Sequence, residues 1–220
     1  MYPEDLTGLH ISGVYIHEPG DLIMNIAIAI LGFILFFKIR PFRSIFERYL
    51  GLFLLMLALA SVGGIFTHGF PTYLGPLNFY LLWAFKNSLI SLGNYFVIMA
   101  FAHVLLPQKS NQFNWIMILK AMISIVLLFA TSSFVPVAAD LALTYFIVLF
   151  LIFKYKNKLP GSHHFLTAFI VAVLSGFSYV VRYDIDPLWF THKDIVHLFV
   201  LFSMWKIYLG ILKYRQLMHL

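Results

Sequence analysis

The chain has no cysteine among its 220 residues. That excludes disulfides, thiolate metal ligands, haem thiolates and thiol nucleophiles, so any metal must be held by imidazole, carboxylate or water. Charge is scarce too: Asp, Glu, Lys and Arg make up 11% of the chain, and only nine residues are acidic. The rest is largely apolar, with 61% hydrophobic residues, 24 Phe and 12 Tyr, and a mean hydropathy of +0.89. A soluble domain of this size could not hide so much apolar surface. The composition predicts an all-α, polytopic integral membrane protein, one bundle of helices forming a single transmembrane domain over 1–220. Glu4, Asp5 and Glu18 precede the first apolar run without a basic n-region, so no cleaved signal peptide is expected.

Residues 1–20 read as a short extramembrane segment punctuated by Pro3, Gly8, Gly13 and Pro19-Gly20. The apolar runs that follow predict a seven-transmembrane bundle, with spans at about 21–37, 49–69, 78–105, 113–132, 136–153, 164–182 and 193–213. Breakers or charge clusters mark the connections, among them Pro71, Pro76, Pro107, Pro136, Lys158-Leu159-Pro160-Gly161 and Pro187. The basic residues set the orientation. Lys38, Arg40, Arg43, Arg48, Lys109, Lys154, Lys156, Lys158, Lys213 and Arg215 share one side of a seven-span chain. That side is then cytoplasmic and holds the C-terminus, with the N-terminus outside. Glu4, Asp5, Glu18, Asp21, Asp140, Asp184, Asp186 and Asp194 map to the outer half, and only Glu47 to the inner. The net charge of +6 is therefore topological and gives no reason to expect a nucleic-acid partner.

Ionisable groups at membrane depth are costly and usually face a bundle interior or a cavity. This orientation collects them at the outer depth. Glu18, Asp21 and Asn25 open the first span, His68 closes the second, and Lys86 and Asn87 lie in the third. Asp140 begins the fifth, Arg182 closes the sixth, and His192, Asp194 and His197 open the seventh. Histidines and carboxylates gathered at one depth suit zinc, which takes imidazole nitrogens and carboxylate oxygens and lowers the pKa of a bound water to ~7. His68, His192 and His197 are the expected ligands. Asp194 and His197 are three apart and share a helix face. His192 and His197 are five apart, a poor helical pair; either the span begins frayed or bent, or Asp194 replaces His192 as ligand. Asp194 otherwise orients an imidazole or acts as a general base. Glu18, Asp21, Asn25, Asn87 and Arg182 are expected as a polar rim, with room for a second cation near Glu18. The plainer reading of Thr191-x-x-Asp194 is a capping box. Lys120 and Lys206 read as snorkelling or packing residues.

Three stretches resemble the CREST superfamily, which joins alkaline ceramidases, progestin and adiponectin receptors and GPI-anchor-remodelling proteins. Glu18-Pro19, followed by Asn25, looks like its entry to the first helix. Gly64-Ile65-Phe66-Thr67-His68 looks like its Ser-x-x-x-His, and Asp194-Ile195-Val196-His197 like the second half of its His-x-x-x-His. The resemblance implies a zinc held by three histidines that hydrolyses an amide or ester of a lipid. The chain departs from the pattern in three places. The family serine falls on Gly64, leaving Ser61 as the nearby substitute. The acid of the third helix is absent, with Asn78, Lys86 and Asn87 as the polar residues there. The first histidine of the last motif falls on Lys193, with His192 one residue early.

These observations support a membrane-embedded, zinc-dependent lipid hydrolase, or else a non-enzymatic seven-span receptor or sensor on the same scaffold. A retinal protein using Lys206, or a transporter using Lys86 and Asn87, fits fewer of them. The partners expected are a lipid substrate or ligand and the bilayer itself.

Overall fold

The computed structural model describes residues 8–218, so Pro3, Glu4 and Asp5 lie outside the described residues. The chain enters through a β-hairpin absent from the sequence reading: β1 (Gly8–Ile11) pairs antiparallel with β2 (Val14–His17), Gly8 opposite His17 and Ile11 opposite Val14. Its two-residue loop, Ser12-Gly13, has both φ angles positive, as a type I′ hairpin turn requires.

Helices follow: α1 (Pro19–Ile39), α2 (Ile45–Gly69), α3 (Pro71–Leu105), α4 (Ser110–Thr131), α5 (Val135–Tyr155), α6 (Ser162–Val181) and α7 (His192–Met218). Six of them, α1 to α5 and α7, are long and apolar enough to cross a membrane, while α6 has a shorter apolar run, Ser162–Ser178. Pro71 and Pro76 were expected in a connection. Instead Pro71 starts α3, where its missing N–H costs no hydrogen bond, and Gly75 (φ 69°) absorbs the kink just before Pro76.

The core of the bundle is aromatic towards the end where α2 begins and α7 ends. Phe46, Phe101, Phe165 and Phe169 are buried there, and the rings of Phe46, Phe101 and Phe165 meet edge to face at 5.3–5.6 Å. The exterior is apolar as well. Trp115, Ile116, Leu119, Met122, Ile123 and Val126 of α4 are all exposed, a surface that suits hydrocarbon and not water. Glu47, fully buried near the start of α2, is clasped by Arg215 of α7 at 2.9 Å and accepts from the backbone N–H of Arg43 at 2.8 Å.

A second polar contact crosses the apolar interior. Lys120 of α4, expected as a snorkelling or packing residue, is ion-paired with Asp140 of α5 and donates to Thr144 Oγ1 at 2.9 Å. Asn94 Nδ2 of α3 donates to Asp140 Oδ2 at 2.5 Å. Next to this group, the hydroxyls of Ser91 and Ser124 join α3 to α4 at 2.9 Å.

Candidate metal centre

The start of α1, the end of α2 and the start of α7 meet, with Lys86 of α3 against them. Pro19 occupies the first turn of α1, and Glu18 precedes it in the left-handed region (φ 38°, ψ 61°). That conformation costs a non-glycine residue about 1–3 kcal/mol. Glu18 makes no side-chain capping bond to its own helix. Its carboxylate turns sideways, with Oε2 2.7 Å from His68 Nδ1 and Oε1 paired with Lys193. Burial alone would raise the Glu18 carboxyl pKa, but the His68 hydrogen bond and the Lys193 ammonium outweigh it and hold the group below the usual carboxylate range.

Asp21, in the first turn of α1, lies at the centre. Its side chain is 1% exposed. Oδ1 is 3.3 Å from His197 Nδ1, and Oδ2 is 3.5 Å from His68 Nδ1 and 3.8 Å from Lys193 Nζ. One turn deeper, Asn25 Nδ2 donates to the Asp21 carbonyl at 2.8 Å. The Asn25 side chain also explains one departure from the resembled pattern. A Cβ on Gly64 would come within 2.1 Å of Asn25 Oδ1, so no serine fits at position 64 unless Asn25 moves.

Asp194 carries the capping role weighed for it, with one oxygen left over. Its Oδ2 accepts from the Thr191 backbone N–H at 2.7 Å and the Thr191 hydroxyl at 2.9 Å, which is the capping interaction. Its Oδ1 is buried without a hydrogen-bond partner, as are both oxygens of Asp21 and Nδ1 of His197.

Among the described residues, two groups of donors are close enough to share an ion, their atoms lying within 4.8 Å of one another: Glu18, Asp21 and His68, and Asp21, Asp194 and His197. In the first group Glu18 and His68 are already partnered. His68 Nδ1 faces Glu18, its Nε2 lies 3.0 Å from Lys86 Nζ, and Glu18 holds Lys193 as well. In the second group the facing atoms are two carboxylates and one imidazole, all buried: Asp21 Oδ1 and His197 Nδ1 face each other at 3.3 Å, outside hydrogen-bond geometry, and Asp194 Oδ1 has no partner. A divalent cation satisfies such a set, and zinc accepts both donor types.

The structure brings together two of the three histidines expected as ligands. His68 and His197 both reach the Asp21 carboxylate, but His192 does not join them. Its Nδ1 and its backbone N–H both lie 2.7 Å from Asp184 Oδ1. The α7 helix is regular from His192 onward, so five residues of rotation carry its ring away from His197, and Asp194 stands in its place. The two bonds from His192 also hold the Asp184 carboxyl below its ordinary range.

Three other expected site residues make no hydrogen bond to the centre among the described residues. Among the described residues, no hydrogen bond ties buried Ser61 to it. Asn87 folds back on its own helix, donating to the Trp83 carbonyl at 2.9 Å, and exposed Arg182 ends α6 in a left-handed conformation (φ 52°). Two residues not counted as site residues from sequence, Lys86 and Lys193, are part of it. Their signal lay in the departures themselves: each is a cation where the resembled pattern has an acid or an imidazole.

No curated protein matches the chain. A family model does match, over residues 21–216, a range that takes in Asp21, His68, Lys86, Asp194 and His197, and the chain therefore belongs to that family, DUF6962, a family of unknown function.

Proposed function

We propose that the protein is a seven-span membrane hydrolase that binds zinc between Asp21, Asp194 and His197 and cleaves an amide or ester bond of a lipid. The observation that carries this reading is the set of buried donor atoms without hydrogen bonds on those three residues, drawn from two helix ends. The resemblance of the Glu18, His68 and His197 stretches to the ceramidase-containing superfamily supports it. Zinc bound there supplies Lewis acidity and a water of lowered pKa.

The remaining residues position and move protons. Glu18 receives the His68 Nδ1 proton, which fixes the tautomer and leaves a lone pair on Nε2. Lys86 donates to that lone pair at 3.0 Å, so a proton acceptor and a proton donor stand side by side. His68 takes up a proton as the nucleophile attacks, and Lys86 returns one to the departing amine or alcohol.

The test is release of fatty acid from a mixed lipid extract by the purified protein, before and after chelation and zinc return. Release should fall to background on chelation, recover with zinc, and be absent in His197→Ala. Zinc binding without turnover of any lipid would remove the catalysis. It would leave the receptor or sensor reading, which the prior engagement of Glu18 and His68 by two lysines favours.

The same proposal places the N-terminus and this centre outside, and the basic ends of α1, α5 and α7 in the cytoplasm. Because the chain lacks cysteine, a single Asn157→Cys substitution provides a clean accessibility probe. Labelling is expected only after the cells are permeabilised. Labelling of intact cells would reverse the orientation.

A further inference from the structure

Lys86 is a cation with no carboxylate of its own. Among the described residues it forms no ion pair, and its ammonium donates to a neutral acceptor, His68 Nε2. The acids around it are engaged elsewhere: Glu18 with Lys193 and His68, and Asp21 with His68 and His197. An ammonium has three donors, and among the described residues this one has a single hydrogen-bond acceptor, which leaves two donors for a ligand. The position is also built. A Cβ on Gly63 of α2 would come within 2.8 Å of Lys86 Cβ, so the glycine lets α3 approach closely enough to bring the lysine onto His68.

The charges in the cluster point the same way. Glu18, Asp21 and Asp194 face Lys86 and Lys193, and with neutral imidazoles three carboxylates against two ammonium groups leave one negative charge. A divalent cation between Asp21, Asp194 and His197 turns that into one positive charge, which a single anionic group neutralises. We infer that Lys86 is an anion-binding residue of this centre, and that the lipid it receives carries a carboxylate or phosphate group close to the bond presented to the centre. This inference rests on the proposed zinc site, and it narrows the substrate class from lipids in general to anionic amphiphiles.

The test is equilibrium binding to the zinc-loaded protein in nanodiscs, with oleate, a single-chain phosphate monoester lipid, neutral monoolein and inorganic phosphate as probes. The two anionic amphiphiles should bind at least tenfold more tightly than monoolein. Lys86→Gln, which keeps a donor for His68 and removes the charge, should abolish that difference. Lys86→Arg should keep it, and the melting temperatures of both variants check that they fold. Equal binding of neutral and anionic probes by the wild type, or undiminished selectivity in Lys86→Gln, would overturn the inference. Inorganic phosphate competing as strongly as the lipids would overturn the lipid assignment and leave a site for a free anion. Zinc content measured on the same samples separates the two readings. A zinc-loaded wild type without selectivity refutes the role of Lys86, and a selective wild type that binds no zinc refutes the metal site.

Discussion

Lys120→Met should destabilise the protein by about 3–5 kcal/mol, the cost of stranding a buried charge by removing its partner. Asp140 is 5% exposed and receives Lys120, with Asn94 bonded to its other oxygen. Without the ammonium it keeps the Asn94 amide and loses its counter-charge. Asp140→Leu strands Lys120 in the same way, with only the Thr144 hydroxyl left to it. The double variant, Lys120→Met with Asp140→Leu, removes both charges and should recover most of the loss, because an apolar pair suits a bundle interior. Unfolding in mixed micelles, followed for the four proteins, gives the coupling directly. Additive losses in the double variant would show that the two residues stabilise the fold separately and that the pair is incidental.

Asp21→Asn should leave the fold intact and abolish stabilisation by zinc. A ligand that binds only the folded state contributes about 2.7 kcal/mol at a hundred times its Kd. For a chain of this length that corresponds to a rise in melting temperature of roughly 5–10 °C. Both Asp21 oxygens face the cluster without hydrogen bonds. Asparagine keeps the volume and the helix start but offers one weak oxygen in place of a carboxylate. In zinc-free buffer the variant should therefore retain most of the wild-type stability, since Glu18 still holds His68 and Lys193. An equal zinc shift in the variant would place the ion elsewhere. A variant that fails to fold with or without zinc would make Asp21 a structural residue.

The helices were legible because hydropathy over some twenty residues is a strong signal. The hairpin at residues 8–17 was not, since two four-residue strands leave almost no periodicity to read. Pro71 and Pro76 pointed to a loop. A first-turn proline and a glycine kink satisfy the same residues inside one helix. At the candidate site, the end of the bundle where each residue lies could be read from the sequence and the direction it faces could not. Loop charges place Glu18, Asp21, His68 and His197 at one level, but whether His192 faces His197 depends on rotation about α7, and that rotation gives it to Asp184. Lys86 and Lys193 are conspicuous as lysines at depth, yet their partners are 18 and 175 residues away in sequence. For the same reason the polarity of Lys120 and Asp140 was visible and their pairing was not.

Metal analysis of the purified protein, with His197→Ala prepared in parallel, tests the central claim most directly. The account predicts about one zinc per chain in the wild type and a large loss in His197→Ala, with His192→Ala unchanged because that ring belongs to Asp184. A wild type that binds no divalent metal when zinc is supplied, or that loses it through His192→Ala and keeps it through His197→Ala, would contradict the account.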